Sequence, residues 1–387
     1  MHPACISTTI EADFLAQNAP FFLALRKANI DFGVSMKFQQ NDSRKLRFFV
    51  GRIVFLSMAL VLALLSGCVS RPPESAVASA TPESVTVKPA EPTPSLPPAT
   101  EPPTTPTPVP EPEQFTIIWL ADTQSIAYHQ NDDVFQAMGE WIVQQAQPQN
   151  VKYIVQTGDM VDNGYQPKQW KSFGLMLNQF YGSIPYLPIA GNHDLGVKLE
   201  DYRAYLEQPF VQALPQDHVF MSGRAVYAEF QAGGQGFLLL GAGWNADVDS
   251  ASWMNEILRT HPNHVAILLF HSYIKSSGEL SRQGVTIREQ IVAKNPNVRL
   301  VLCGHLRGSG YRLEQFDDNG DGKPDRDVSA MLYNFQGYTH EKSGQIRVLR
   351  FDTATRNIHV STYSPYTKRF YRDEFFKATE FDLLNAF

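Results

Sequence analysis

From residue 115 onward the chain alternates short apolar runs with stretches whose apolar positions recur every three or four residues. The runs read FTIIWLAD, YIVQTGD, YLPIAGNHD, FLLLGAG, HVAILLFH and VRLVLCGH. Between them, Val134, Met138, Trp141 and Ile142 fall on one helical face, as do Trp170, Phe173, Met176, Leu177 and Phe180, and a third helix is expected around Trp253 to Leu258. Continuous apolar runs alternating with amphipathic helices predict an α/β fold of buried, largely parallel strands with helices outside. After His305 the segments YRLEQF, VSAMLYNFQ, QIRVLRFD and NIHVSTYSP predict successive antiparallel strands of a second sheet.

The apolar runs share an unusual ending. Their tips carry Asp122 with Gln124 two residues on, Asp159, Asn192-His193-Asp194, His271 and His305. One polar strand tip is ordinary turn chemistry. Carboxylates, amides and imidazoles converging beyond the carboxyl ends of strands, where α/β sheets bind ligands, would repel or go unsatisfied without a cation. The tips therefore predict a metal centre. Cys303, inside an apolar strand, reads as a buried structural residue.

The hydropathy pattern before residue 115 is of a different kind. Arg44, Lys45, Arg47 and Arg52 precede an apolar run from Ile53 to Leu65, too short to span a membrane comfortably. Leu65-Ser66-Gly67-Cys68 follows and resembles a bacterial lipobox, so residues 36–68 read as a lipoprotein signal peptide. The resemblance implies a lipid on Cys68, a bilayer as partner, and an exported domain at the cell envelope. Residues 1–35 sit oddly before such a signal, and translation is expected to start at Met36. Residues 69–114, rich in Pro, Thr, Ser and Glu, predict an extended stalk. The catalytic domain is then 115–387.

Composition narrows the function. The net charge of −6 over 387 residues provides no electrostatic footprint for nucleic acid. Three scattered cysteines exclude a disulfide framework or a thiolate zinc site. A monomer is expected.

The ordered set Asp122, Gly158-Asp159, Gly191-Asn192-His193-Asp194, His271 and Gly304-His305 resembles the calcineurin-like metallophosphoesterase family. The likeness covers residues 115 to about 365 and implies a four-layer α/β/β/α sandwich of the metallo-dependent phosphatase type. It also implies two divalent metal ions (manganese, iron or zinc) and a phosphoester substrate attacked by a metal-held hydroxide. By this carry-over Asp159 bridges the metals, Asn192, His271 and His305 complete the second site, and Asp122 and Gln124 serve the first. His193 is the leaving-group acid or phosphate donor, with Asp194 orienting it. Asp162 and Asn163 are rim or substrate contacts. The family has histidines where this chain has Gln124 and Arg307; Asp-Thr-Gln resembles a subset of the family. An amide oxygen can bind metal, whereas a guanidinium cannot. The first metal is therefore expected to bind weakly, or Arg307 to grip the phosphate in its place. The same departures fit a binding protein that keeps the fold without turnover, and the stalk fits a surface adhesive or glycan-binding module.

A second ion is expected in DDNGDGKPDRD, where Asp317, Asn319, Asp321 and Asp325 occupy positions one, three, five and nine of a calcium loop. The loop lacks the final bidentate acid, and a hairpin with Asn-Gly and Asp-Gly turns fits it equally.

Overall fold

In a computed structural model the described residues are 110–195, 201–220, 223–336, 343–371 and 378–387. The expected signal peptide with Cys68, and the expected stalk up to residue 109, lie outside them; residues 110–114 are described, and Gln114 already opens the first strand. Among the described residues no helix is long and apolar enough to cross a membrane.

Two seven-stranded sheets stack face to face. In the first, β1 (Gln114–Leu120), β2 (Val151–Gln156) and β3 (Tyr186–Pro188) run parallel and in order. The second is built around β6 (Gln235–Ala242), β7 (His264–Phe270) and β8 (Val298–Cys303), also parallel. Its edge beyond β6 adds β4 (Val219–Phe220) and β5 (Ala225–Ala232), the latter antiparallel to β6.

The strands after His305 do not form one antiparallel sheet, as their pattern suggests. Strands β9 (Gly308–Phe316) and β10 (Arg326–Asn334) close the second sheet, with β10 parallel to β8. Strands β11 (Ile346–Asp352) and β12 (Asn357–Ser364) cross to the first sheet, where β11 pairs antiparallel with β1. The short strands β13 (Arg369–Phe370) and β14 (Phe381–Leu383) pair with β12. Period-two patterning fixes which face of a strand is buried but not which neighbour it joins.

The apolar runs are continuous because both strand faces are covered. Ile117 and Trp119 of β1 point inward, toward Ile267 and Leu269 of β7 and Leu300 and Leu302 of β8. Ile118 and Leu120 point outward, into α2 (Asp132–Ala146) and α3 (Pro167–Phe180) through Val134, Phe135, Met138, Phe173 and Met176. These helices are preceded by α1 (Gln124–Tyr128). The short α4 (Arg203–Leu206) and α5 (Pro209–Gln212) lie on the same side through Tyr205 and Phe210. On the opposite flank, α6 (Val248–Thr260) and α7 (Arg282–Gln290) cover Leu238, Leu268 and Val301. The result is the α/β/β/α layering. Ile267 is fully buried between the sheets, so Ile267→Val should cost about 0.5–1.5 kcal/mol in chemical denaturation with little change in activity.

Candidate metal centre

The carboxyl ends of β1, β2 and β3 and those of β7 and β8 meet at one end of the sandwich. Asp122, Asp159 and His305 all have positive φ, at 50°, 52° and 66°. Non-glycine residues seldom adopt this region, and holding them there costs on the order of 1–3 kcal/mol each. The turn aims the side chains across the gap between the sheets instead of along the strand axis.

Asp159, His271 and His305 place one ligand atom each within 4.8 Å of one another, the one such group of His, Cys, Asp and Glu among the described residues. The His271 Nδ1–H donates to the Thr157 carbonyl at 2.7 Å, which leaves Nε2 facing Asp159 Oδ1 at 3.3 Å and Asn192 Oδ1 at 3.1 Å. A backbone acceptor on one ring nitrogen is how proteins fix the tautomer of a metal-binding histidine. The backbone N–H of His305 reaches both oxygens of Asp122, at 2.9 and 3.1 Å, and so ties the tip of β8 to the tip of β1. Asn334, at the end of β10, donates to the His305 carbonyl at 3.1 Å.

The charge balance calls for a cation. Asp122 and Asp159 are buried, and among the described residues no lysine or arginine pairs with either. Burial, reinforced by Asp159, pushes the Asp122 carboxyl well above its ordinary value. Burial also pushes Asp159 upward, but His271 and the His193 N–H hold it below the usual range. The His271 imidazole is lowered by burial yet raised more by Asp159 and Asp122, to about 9. Burial and His271 depress His305 to about 4, so its imidazole is neutral and has a lone pair to offer. Gln124, nearly inaccessible, donates from Nε2 to Asp159 Oδ2 at 2.8 Å, while its buried Oε1 has no partner. An orphaned carbonyl oxygen, two crowded carboxylates and neutral imidazole nitrogen fit a divalent ion of intermediate hardness.

The surrounding glycines leave room for nothing but these groups. A Cβ on Gly304 would lie 2.0 Å from Asp122 Oδ2, and Gly158 combines φ 92° with a would-be Cβ 2.4 Å from the Gly191 nitrogen.

Several expected residues are placed differently. Asp194 does not orient His193. It is fully buried and accepts the backbone N–H groups of Met160, Val161 and Gly191 at 2.9, 3.1 and 2.8 Å. Its carboxyl is raised to about 7 by burial and by Asp159. Three orphan amides in the crossing loops outcompete one imidazole. His193 instead sets its Nδ1 on Asp162, donating to that residue's carbonyl oxygen at 2.8 Å with the carboxylate at 3.3 Å. The Asn163 side chain accepts from the Tyr165 N–H at 3.0 Å, which closes a local turn. Arg307 is exposed and has no ion pair or hydrogen bond among the described residues.

In the acidic hairpin, Asp317 accepts from Gly320, Asp321 and Gly322, and Asp325 accepts from Asp318 and Asn319. Asn319 and Asp321 accept from the backbone of Asp321 and Lys323. These bonds order the turn through its own backbone amides. Trp244, beyond the tip of β6, carries no motif and was not legible as a site residue. Its ring packs on His305 at 4.7 Å and on His271 at 5.6 Å between centroids.

The chain is 38% identical over 264 residues to the protein YvnB of Bacillus subtilis (strain 168), covering 67% of this chain and 20% of YvnB. The chain thus spans about a fifth of that relative's length. It is 27% identical over 208 residues to a probable cyclic nucleotide phosphodiesterase of Moraxella catarrhalis (strain BBH18), covering 50% of this chain and 71% of that protein. A purple acid phosphatase from yellow lupin seeds superposes with a TM-score of 0.48 and 12% identity, over 72% of this chain and 55% of that one. Residues 115–306 match the family model of the calcineurin-like phosphoesterases. They contain every strand tip of the metal centre, and the chain therefore carries a calcineurin-like phosphoesterase domain.

Proposed function

We propose that this domain hydrolyses phosphodiesters with the help of divalent metal ions. The observation that carries the reading is the convergence of Asp159, His271 and His305 from two sheets onto one point. Asn192 joins this triad through His271, and Asp122 and Gln124 stand beside it as donors of a weaker first site. Divalent ions bound there supply a water activated near neutral pH and neutralise charge on the phosphoryl oxygens.

The chain's own groups do the rest. His193, half-buried and beside Asn192, has its Nδ1–H engaged by the Asp162 carbonyl with the Asp162 carboxylate at 3.3 Å; in its imidazolium form Nε2–H gives its proton to the departing oxygen and the ring is left neutral. Arg307, exposed two residues after His305, is the candidate grip on a non-bridging phosphoryl oxygen. The preference for diesters over monoesters rests on the Moraxella relative's description as a probable cyclic nucleotide phosphodiesterase.

The test is turnover of bis-p-nitrophenyl phosphate with manganese added. Chelation should abolish it, and so should Asn192→Ala. His193→Ala should lower kcat by about a hundredfold with metal content unchanged. A metal-replete protein with no turnover would instead support the non-catalytic binding protein, for which the Gln124 and Arg307 departures speak. The anchoring at the cell envelope rests on the lipobox alone; fatty-acid labelling that survives Cys68→Ser would remove it.

A further inference from the structure

A cavity of about 680 Å³ opens directly beside the metal centre. His271 and His305 line it, together with residues of the first turn of α7. Its size falls in the range that houses a drug-sized ligand. A simple aryl phosphate would leave most of it to water.

The walls are chemically one-sided. Trp244 presents a half-exposed indole next to the two imidazoles. Its position is fixed by backbone bonds, the N–H to the Ala190 carbonyl at 2.8 Å and the carbonyl to the Tyr202 hydroxyl at 2.7 Å. Lys275, Arg282, Gln283 and Thr286 line the same cavity. Among the described residues no carboxylate lines it. Lys275 is tied to Glu279 at 3.1 Å, but Arg282 is exposed and has no ion pair or hydrogen bond among the described residues. An aromatic face against the two imidazoles and an unpaired guanidinium in the same cavity describe a partner with a planar group and a second negative charge.

We propose that this cavity binds the leaving half of the substrate, and that this half is nucleotide-like and carries a second phosphate, stacked on Trp244 and held by Arg282. The inference deepens the phosphodiesterase reading and rests on it. It also departs from a simple cyclic mononucleotide, which has one phosphate and nothing to place at Arg282.

The experiment uses two matched dinucleotides that differ by one terminal phosphate on the leaving side. The protein should favour the phosphorylated one by about tenfold in kcat/KM, the scale of one charge-assisted contact. In Arg282→Ala that ratio should collapse to about one, and Arg282→Lys should recover part of it. Trp244→Leu should raise KM for both dinucleotides and leave the ratio in place. Equal turnover of the two substrates by the unaltered protein, or a ratio untouched in Arg282→Ala, overturns the proposal while the hydrolase reading stands. Should none of the diesters be cleaved, calorimetric binding of the two dinucleotides decides it. The same tenfold preference and the same loss in Arg282→Ala support the cavity assignment, and indifferent binding defeats it.

Discussion

Asp159→Asn should lower kcat/KM for bis-p-nitrophenyl phosphate by at least about a thousandfold, roughly 4 kcal/mol at 1.36 kcal/mol per decade, with the fold intact. The substitution is nearly isosteric, so an amide oxygen can still accept the His193 N–H that lies 3.0 Å from Oδ1. What disappears is the charge. Asp159 is the sole carboxylate in the triad with His271 and His305, and it also receives the Gln124 amide at 2.8 Å. Removing it takes the negative partner from both imidazoles and from the amide at once. Asp159 also holds His271 charged in the absence of metal, so that imidazole should fall from about 9 toward its ordinary range. Metal content should drop in step with activity. The metal-free protein should melt below its parent, because the buried His271 imidazolium loses the carboxylate that pairs with it at 3.3 Å. Activity within tenfold of the parent, at full metal occupancy, would show that this carboxylate does not hold the ions.

The second large effect is expected from a methyl group. Gly304→Ala builds a Cβ 2.0 Å from Asp122 Oδ2 and 3.4 Å from the Thr157 hydroxyl, in a segment already pinned by the His305 N–H on the same carboxylate. The chain cannot yield backward, since His305 is locked at positive φ. Overpacking of this kind costs about 1–3 kcal/mol, and the displaced Asp122 should take activity down with it. The cause can be isolated by a double-mutant cycle. In an Asp122→Ala background, Gly304→Ala should cost far less stability, giving a coupling of about 1 kcal/mol or more between two residues far apart in sequence. Additive effects in denaturation would mean that the contact is not the origin of the loss.

Much of this arrangement was legible before any coordinates. The strands β1, β2, β7 and β8 are apolar on both faces because each lies between a sheet and a helix layer, and continuous apolar runs report that state directly. Their tips are legible for the same reason, since a carboxylate or imidazole at the end of such a run has no local purpose. The exceptions are informative. Strand β5 is not legible in the sequence because it is an edge-side strand of mixed polarity, Ala225–Ala232. Asp194 looked like a partner for His193 by adjacency, yet three backbone amides from two loops claim its oxygens.

The amino-acid order by itself determined the α/β alternation, the donors at the strand ends, and the glycines that let backbone approach them. Local dihedral preference and side-chain chemistry are properties of short segments, and short segments are what a sequence displays. Tertiary structure alone decided the division of β9–β10 and β11–β12 between two sheets, the pairing of His193 with Asp162, and the cavity between Trp244 and Arg282. Each of these depends on which distant surfaces meet. That choice comes from the summed packing of the whole core, not from any residue's neighbours along the chain.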